Sequence, residues 1–444
     1  MANLTVLRFS SSSCRIRKLT RIPAAVSTRI KITFVYNLNH FVCSFSFFVV
    51  VTFKVGLPCL VIALLLFLVF FVLLPLAFRS SVTLQRGILF LTFITYPKGL
   101  DLTKPDSVGL YATRNFYITV KDHDEDDDGV RIGVWHVLPK NTVRRFRREL
   151  HVEAAYEEDA ASAALHEQLS LPSNIAGNNE ELERLAPALR AEFPVIVPEN
   201  EQLFYERLLR VPGGSVVLYL HGNTATRGSG HRSEVYKLLR QLNYHVFSFD
   251  YRGYADSDPV PPTEDGVVRD AMMVFEYIAN LTSNPIFIWG HSLGTGVATH
   301  MCAKLASLKE RGPRGVILES PFTNIRDEIR LHPFSRPFRH LPWYDFTISD
   351  PMYSNRLRFE SDKHVAKFPQ PIMIVHAEDD VVVPFHLGYR LYRNALDTRS
   401  RSWGPVEFHR FDGSHGYGHK YLCRAPEMPR LVQNFLETYR DAVY

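Results

Sequence analysis

Residues 285–300 read PIFIWGHSLGTGVATH. The first five form a short apolar run, and from Leu293 to Leu308 the apolar spacing is helical. Between them, Gly290-His291-Ser292-Leu293-Gly294 fits G-x-S-x-G. As a bare pattern this recurs by chance. Set between a strand and a helix, it predicts a sharp turn with a serine at its apex. Such a turn needs small neighbours, and Gly290, Gly294 and Gly296 supply them. It lifts the Ser292 hydroxyl above the sheet edge and brings the unpaired N–H groups of the next helix, Leu293 first, beside it. The plainer alternative is a glycine-rich structural turn.

Similar units stand on both sides. Residues 216–220 (VVLYL), 244–249 (YHVFSF), 315–318 (GVIL), 371–375 (PIMIV) and 406–410 read as strands, and 233–242, 265–280 and 428–439 as helices. Short apolar strands alternating with helices imply an α/β chain with a mostly parallel sheet buried on both faces. Upstream, 117–120 and 131–138 read as a hairpin around the acidic run 122–128, a solvated turn without the glycine and terminal glutamate of a Ca²⁺ loop. Residues 140–205, rich in charge and alanine, read as an inserted stretch of exposed helix and loop.

A serine hydroxyl is a poor nucleophile until a base takes its proton. In this order of elements an acid and then a histidine should follow. After PIMIV comes HAEDDVVVP (376–384), where Asp380 is the first choice for the acid and Asp379 the alternative. After the last strand, GSHGYGHKY (413–421) offers His415 and His419, with His419 favoured because it leads into the closing helix. The loop after VVLYL should give a second donor to a developing oxyanion. The backbone N–H of Asn223 is the first choice and that of Thr224 the second, while Gly222 permits close approach and His221 reads as a structural hydrogen-bonder. No CxxC or clustered Cys/His appears, so zinc spacing is absent and the chemistry needs neither metal nor organic cofactor.

Charge divides the chain. Of 51 Lys/Arg and 46 Asp/Glu, residues 1–100 hold 11 basic side chains and no acid. The remaining 344 residues carry 40 basic and 46 acidic groups, a net −6, which argues against nucleic-acid binding. Residues 56–78 (GLPCLVIALLLFLVFFVLLPLAF) contain no charge and suffice for a membrane-spanning helix. The run is too long for a signal peptide's apolar core and lacks a clear cleavage site. Within the basic N-terminal tail 1–55, residues 1–31, Ser- and Arg-rich and free of acids, also resemble a mitochondrial transit peptide, and the apolar run 41–53 is too short to span alone. Basic residues before the span point to a cytosolic N-terminus and a lumenal body. Residues 79–115 then form a membrane-proximal linker and 116–444 the folded body. Asn280-Leu281-Thr282 is a glycosylation acceptor if that body is lumenal. Five cysteines exclude a disulfide-dense scaffold; Cys302, in a predicted helix, reads as a buried thiol.

Together these motifs resemble the α/β-hydrolase superfamily. LYLHGNTATRGSGHR (219–232), FDYRGYADSD (249–258), IWGHSLGTGVATH (288–300), ILESPFTNIRDE (317–328), HAEDDVVVPF (376–385) and GYGHKY (416–421) narrow the likeness to its membrane-anchored lysophosphatidylserine and monoacylglycerol lipases. The likeness runs from about residue 56 to 436; residues 1–55 and 140–205 depart from the family pattern. It implies an α/β-hydrolase fold with Ser292, Asp380 and His419 as nucleophile, acid and base. It further implies a single-pass endoplasmic-reticulum membrane protein with a lumenal, glycosylated catalytic domain. The implied substrates are lysophosphatidylserine and monoacylglycerols, including 2-arachidonoylglycerol. Residues 320–370 would cap the site. Their aromatic side chains (Phe322, Phe334, Phe338, Trp343, Tyr344, Phe346) would meet an acyl chain, and part of the set Arg326, Arg330, Arg336 and Arg339 an anionic head group or lipid surface. Two other readings share the sequence: an acyl-protein thioesterase using the same three residues, and a non-catalytic hydrolase-like binding protein.

Overall fold

The structure, a computed structural model, describes residues 57–121, 128–152 and 176–442, together with the antiparallel two-residue strands Ile32–Thr33 and Val50–Val51. The remainder of the tail 1–55, most of the acidic turn and the middle of the 140–205 stretch lie outside the described residues. The chain forms two compact units: Met1–Ser80 with Pro337–Ile348, and Ser81–Arg336 with Ser349–Tyr444.

In the first unit a continuous helix runs through Leu57–Leu68, a wider π turn at Val69–Leu73, and Leu74–Ser80. Leu60–Ser80, 21 residues, is long and apolar enough to cross a membrane. At 1.5 Å per residue it measures about 31 Å, close to a ~30 Å hydrocarbon core. The helix continues through Arg79 to Ser80, two residues beyond the expected end. Segment 337–348 packs along it. The Trp343 indole Nε1 donates to the Phe71 carbonyl at 2.7 Å, in the π turn, where the i→i−4 ladder is interrupted. The Phe338 ring lies 5.6 Å from that of Phe71. The Arg79 guanidinium sits 3.7 Å over the Phe346 ring and donates to the Phe346 carbonyl.

The second unit is built on eight strands: β1 (Thr113–Val120), β2 (Val130–Val137), β3 (Val216–Leu220), β4 (His245–Phe249), β5 (Ile286–His291), β6 (Val316–Glu319), β7 (Ile372–Ala377) and β8 (Val406–Phe411). Their spatial order is β1-β2-β4-β3-β5-β6-β7-β8, parallel from β4 to β8, with β1 and β2 antiparallel at one edge. β3 through β7 are buried along their whole length, which is why they read as unbroken apolar runs rather than alternating ones. Helices Gly230–Gln241, Glu264–Leu281, Leu293–Leu308, Phe385–Thr398 and Met428–Tyr439 flank the sheet. One core packs Val217, Tyr219, Phe287 and Trp289 of the sheet against Val235, Tyr236, Val432 and Phe435 of the helices. Each such side chain contributes roughly 1.5–3 kcal/mol on burial. This topology is the α/β-hydrolase fold.

The stretch 140–205 is not simply exposed. Its described helices Lys140–Arg145, Ala176–Glu192 and Pro198–Leu209 enclose a second core of Val143, Phe146, Leu182, Leu189, Phe193 and Phe204. Cys302 is buried, as expected. Cys302 and Cys423 are both free thiols, so no disulfide joins them.

The chain moves from β3 to β4 on one side and to β5 on the other, so the strand order reverses at β3. Crevices at the carboxyl ends of strands around such a switch point are where open α/β sheets bind ligands. In register, Gly290 of β5 pairs with Leu220 of β3, and His291 with Glu319 of β6. Ser292 therefore emerges beside the loop that follows β3. The turn is very tight. A Cβ on Gly294 would lie 2.0 Å from the Leu220 carbonyl oxygen, and one on Gly290 2.5 Å from the Gly294 carbonyl. Backbone cannot yield like a flexible side chain, so Gly294→Ala is expected to cost more than about 3 kcal/mol. A denaturant titration showing an unchanged midpoint would contradict that expectation.

Candidate active site

Ser292 sits between β5 and helix Leu293–Leu308 with φ +54° and ψ −120°. A non-glycine residue here is strained, and such strain persists only where the surroundings over-determine it. Here they do. The Ser292 N–H donates to the Glu319 carbonyl at 3.0 Å, and the Ser292 carbonyl accepts from the Thr295 N–H at 2.9 Å and the Thr295 hydroxyl at 2.6 Å. The residue is buried but for a small face. Leu293 opens the helix, where its N–H has no intrahelical acceptor.

Asp380 follows β7, and its carboxylate accepts from several directions. Oδ1 takes the Val382 and Val383 N–H groups, both at 2.9 Å. Oδ2 lies 2.7 Å from His419 Nδ1 and 3.3 Å from His376 Nε2. Burial by itself would raise this carboxyl. The His419 charge and the hydrogen bonds from His376 and His419 outweigh burial and hold it far below the usual carboxylate range. A carboxylate only accepts, so His419 carries its proton on Nδ1 and leaves Nε2 with a free lone pair. That nitrogen can take a proton from a hydroxyl.

The neighbouring acid and histidine have different positions. Asp379 Oδ2 accepts from the Gly418 N–H at 2.9 Å, holding the backbone just before His419 rather than the imidazole. His415 is exposed and stacks on Tyr417. Two side chains not anticipated as part of the site also reach it. His376 contacts Asp380 and donates toward the Val383 carbonyl at 3.0 Å. His291 Nε2 lies 2.8 Å from the His419 carbonyl, so Nε2 bears the proton. Burial pushes the His291 imidazole down to about 3, so it is neutral at pH 7. The position of His291 beside Ser292 was the only sequence signal for this contact.

Residues 221–229 form the loop after β3. A Cβ on Gly222 would lie 3.3 Å from Ser292 Cβ, which places the loop against the serine. His221 is fully buried beneath it, with Nδ1 2.6 Å from the Gly222 carbonyl and Nε2 accepting from the Tyr251 N–H at 3.4 Å. Arg232 donates to the Thr226 carbonyl at 2.6 Å and to the Thr224 carbonyl.

The four arginines expected at the head group have different surroundings. Arg326 is paired with Asp350 and lies over the Tyr353 ring. Arg330 and Arg336 are exposed, and Arg339 donates to its neighbour His340. Of the aromatics, Phe322 is buried near Gly296, Phe334 is exposed, and Phe338, Trp343 and Phe346 contact the apolar helix. Among the described residues no cluster of His, Cys, Asp and Glu could hold a metal ion.

Glu319, behind the serine, is buried, and its Oε2 accepts from Trp289 Nε1 at 2.8 Å. Burial first, and Asp380 second, push its carboxyl up to about 8 against that hydrogen bond. Between pH 4.5 and 8 the folded chain then holds one proton that the unfolded chain has released. Stability is fully present below about 4.5 and falls with rising pH by about 1.4 kcal/mol per unit until the folded group ionises. Glu319→Gln is expected to flatten this part of the stability–pH curve. An unchanged slope in denaturant titrations between pH 5 and 8 would contradict it.

A family model described as serine aminopeptidase, S33, matches residues 213–350. The chain is 37% identical over 374 residues to the lysophosphatidylserine lipase ABHD12 of Mus musculus, covering 84% of this chain and 79% of that protein. It is 38% identical over 369 residues to the Gallus gallus protein of the same name, covering 82% and 81%. It is 30% identical over 353 residues to protein ABHD12B of Homo sapiens, covering 79% of each. Similarity at this level over about four-fifths of both chains, on this sheet topology and strained serine turn, places the chain in the ABHD12 family of α/β-hydrolases.

Proposed function

We propose that the protein is a membrane-anchored serine hydrolase that cleaves acyl esters of lysophosphatidylserine and monoacylglycerols. The observation that carries this reading is the 2.7 Å contact between Asp380 and His419, formed beside the strained turn that presents Ser292. His419 Nε2 takes the Ser292 proton as the oxygen attacks the ester carbonyl. The N–H groups of Asn223 and Leu293 receive the oxyanion. His419 then gives its proton to the leaving glycerol oxygen, and water repeats the sequence on the acyl-enzyme. Asp380 fixes the tautomer and offsets the imidazolium charge.

The lysophosphatidylserine substrate is supported by relatives that are lysophosphatidylserine lipases, and a lipid substrate in general by a helix that fits a single membrane span, where such substrates concentrate. The N-terminus faces the cytosol and the catalytic unit the endoplasmic-reticulum lumen. There Asn280, exposed at the end of helix Glu264–Leu281, accepts a glycan. Of the four arginines expected there, the exposed pair Arg330 and Arg336 meets the anionic head group.

The test is fatty-acid release by the full chain in vesicles from lysophosphatidylserine, a monoacylglycerol and an S-acyl cysteine peptide. Release from the two oxygen esters, lost in Ser292→Ala, supports the reading. Turnover of the thioester alone would replace it with a protein depalmitoylase, and no Ser292-dependent release from any of the three would overturn it. Charge reversal at Arg330 and Arg336 is expected to weaken lysophosphatidylserine turnover more than monoacylglycerol turnover; equal effects would remove the head-group role.

A further inference from the structure

The 79–115 stretch reads as a linker, yet part of it is built into the catalytic unit. Ser81 caps helix Val82–Phe90, its hydroxyl accepting from the Leu84 N–H at 3.2 Å. Leu91 closes the helix in the left-handed conformation at φ +45° and turns the chain back. One side of this hairpin-like segment grips the loop after β3. Asn223 Nδ2 donates to the Leu89 carbonyl at 3.1 Å, and the Ala225 N–H donates to the Ile94 carbonyl at 2.9 Å. The Ser229 hydroxyl donates to the Tyr96 carbonyl at 3.1 Å. The buried Tyr254 hydroxyl contacts the Phe90 carbonyl and, at 3.2 Å, the Asn223 carbonyl, so one phenol joins the segment to the proposed oxyanion residue.

The other side is apolar and exposed. Leu84 and Ile88, one turn apart, are 39% and 52% exposed, and Phe93 is 72% exposed. Gln85, Leu89 and Phe90 face inward instead, so the helix is buried on one side while its other side presents apolar side chains. A soluble chain gains nothing from that outer face. Only Ser81 separates this helix from Ser80, the last residue of the candidate span, so the chain itself keeps its first turn within one residue of the membrane boundary. The occupant that fits is the lipid surface, with side chains of this size seated at the headgroup–acyl boundary.

We propose that residues 82–96 are a two-sided brace, seated in the lipid surface on one side and holding the oxyanion loop on the other, so that bilayer contact sets the position of Asn223. This rests on the hydrolase reading above. The segment touches no reacting atom; its residues are positioning residues. A loop displaced by a fraction of an ångström leaves binding of a small ester intact and weakens the donor where charge develops, so kcat falls and KM does not.

The experiment uses the full chain in vesicles and a water-soluble short-chain ester, which does not depend on lipid delivery. Ile88→Asp and Phe93→Asp, at exposed sites, are expected to lower kcat on that ester by about tenfold with KM unchanged. Tyr254→Phe is expected to do the same without touching the lipid face. Phe93→Trp is expected to be quenched by bromine-labelled acyl chains beyond the quenching of the parent protein. Absence of added quenching overturns the lipid contact. Unchanged kcat on the soluble ester in the aspartate variants overturns the coupling, even if turnover of lipid substrates falls. Ser292→Ala in parallel separates these outcomes from failure of the hydrolase reading: if it keeps esterase activity, that reading is wrong whatever the brace does.

Discussion

Ser292→Ala lowers ester turnover by about 10⁴-fold or more, with thermal stability within a few degrees of the parent protein. The size follows from the chemistry. With no hydroxyl at the turn there is nothing for His419 to deprotonate and no acyl-enzyme, and what remains is water attack helped by the oxyanion donors. Stability should hold because alanine keeps the Cβ and meets the same φ of +54°, and the backbone bonds of residue 292 to Glu319 and Thr295 survive. The Thr295 hydroxyl also bonds to the residue 292 carbonyl rather than to the serine side chain. Turnover and a melting curve on the same preparation check both halves. Activity within tenfold of the parent would contradict the nucleophile assignment.

Asp380→Asn is expected to have the second largest effect, about 10⁴-fold in kcat near neutral pH. Both carboxylate oxygens accept: Oδ1 from two backbone N–H groups, Oδ2 from His419 and His376. An asparagine has one accepting oxygen. If it serves the backbone donors, its NH₂ faces His419 Nδ1, which must then lose its proton and take the other tautomer. Nε2 would then carry a proton and could not act as a base. Asp379→Asn is the comparison, since Asp379 contacts the Gly418 N–H and not the ring. It is expected to fall less than tenfold. Equal losses at 379 and 380 would show that the two acids act together in holding the loop and would remove the tautomer explanation.

The strands around the site were legible within one or two residues because each apolar run is bounded by Gly, Pro or Asp, and because strands buried on both faces leave no ambiguity of alternation. The serine turn was legible because three glycines in seven residues answer to contacts of 2.0 to 2.9 Å that no larger residue would survive. The second core within 140–205 was not. Its helix Ala176–Glu192 buries Leu182, Ala186 and Leu189 at helical spacing, but alanine and charge dominate that stretch and a proline interrupts it at Pro187. His376 and His291 were missed for another reason. His376 meets Asp380 only four residues on, through the turn after β7, and His291 meets the His419 carbonyl 128 positions away; local pattern reports neither the shape of that turn nor a partner set by tertiary packing. Residues 82–96 fall within the expected linker because their inner face has meaning only beside the loop after β3.

In the proposed mechanism one strained serine, Ser292, served by His419, is the nucleophile. The direct measurement is to treat the full chain with a fluorophosphonate, digest it and locate the phosphonyl mass by tandem mass spectrometry. The expected result is a single adduct on the peptide containing Ser292, whose rate of formation falls sharply in His419→Ala and hardly at all in His415→Ala. An adduct on another residue, or labelling of Ser292 at the same rate without His419, would contradict the account.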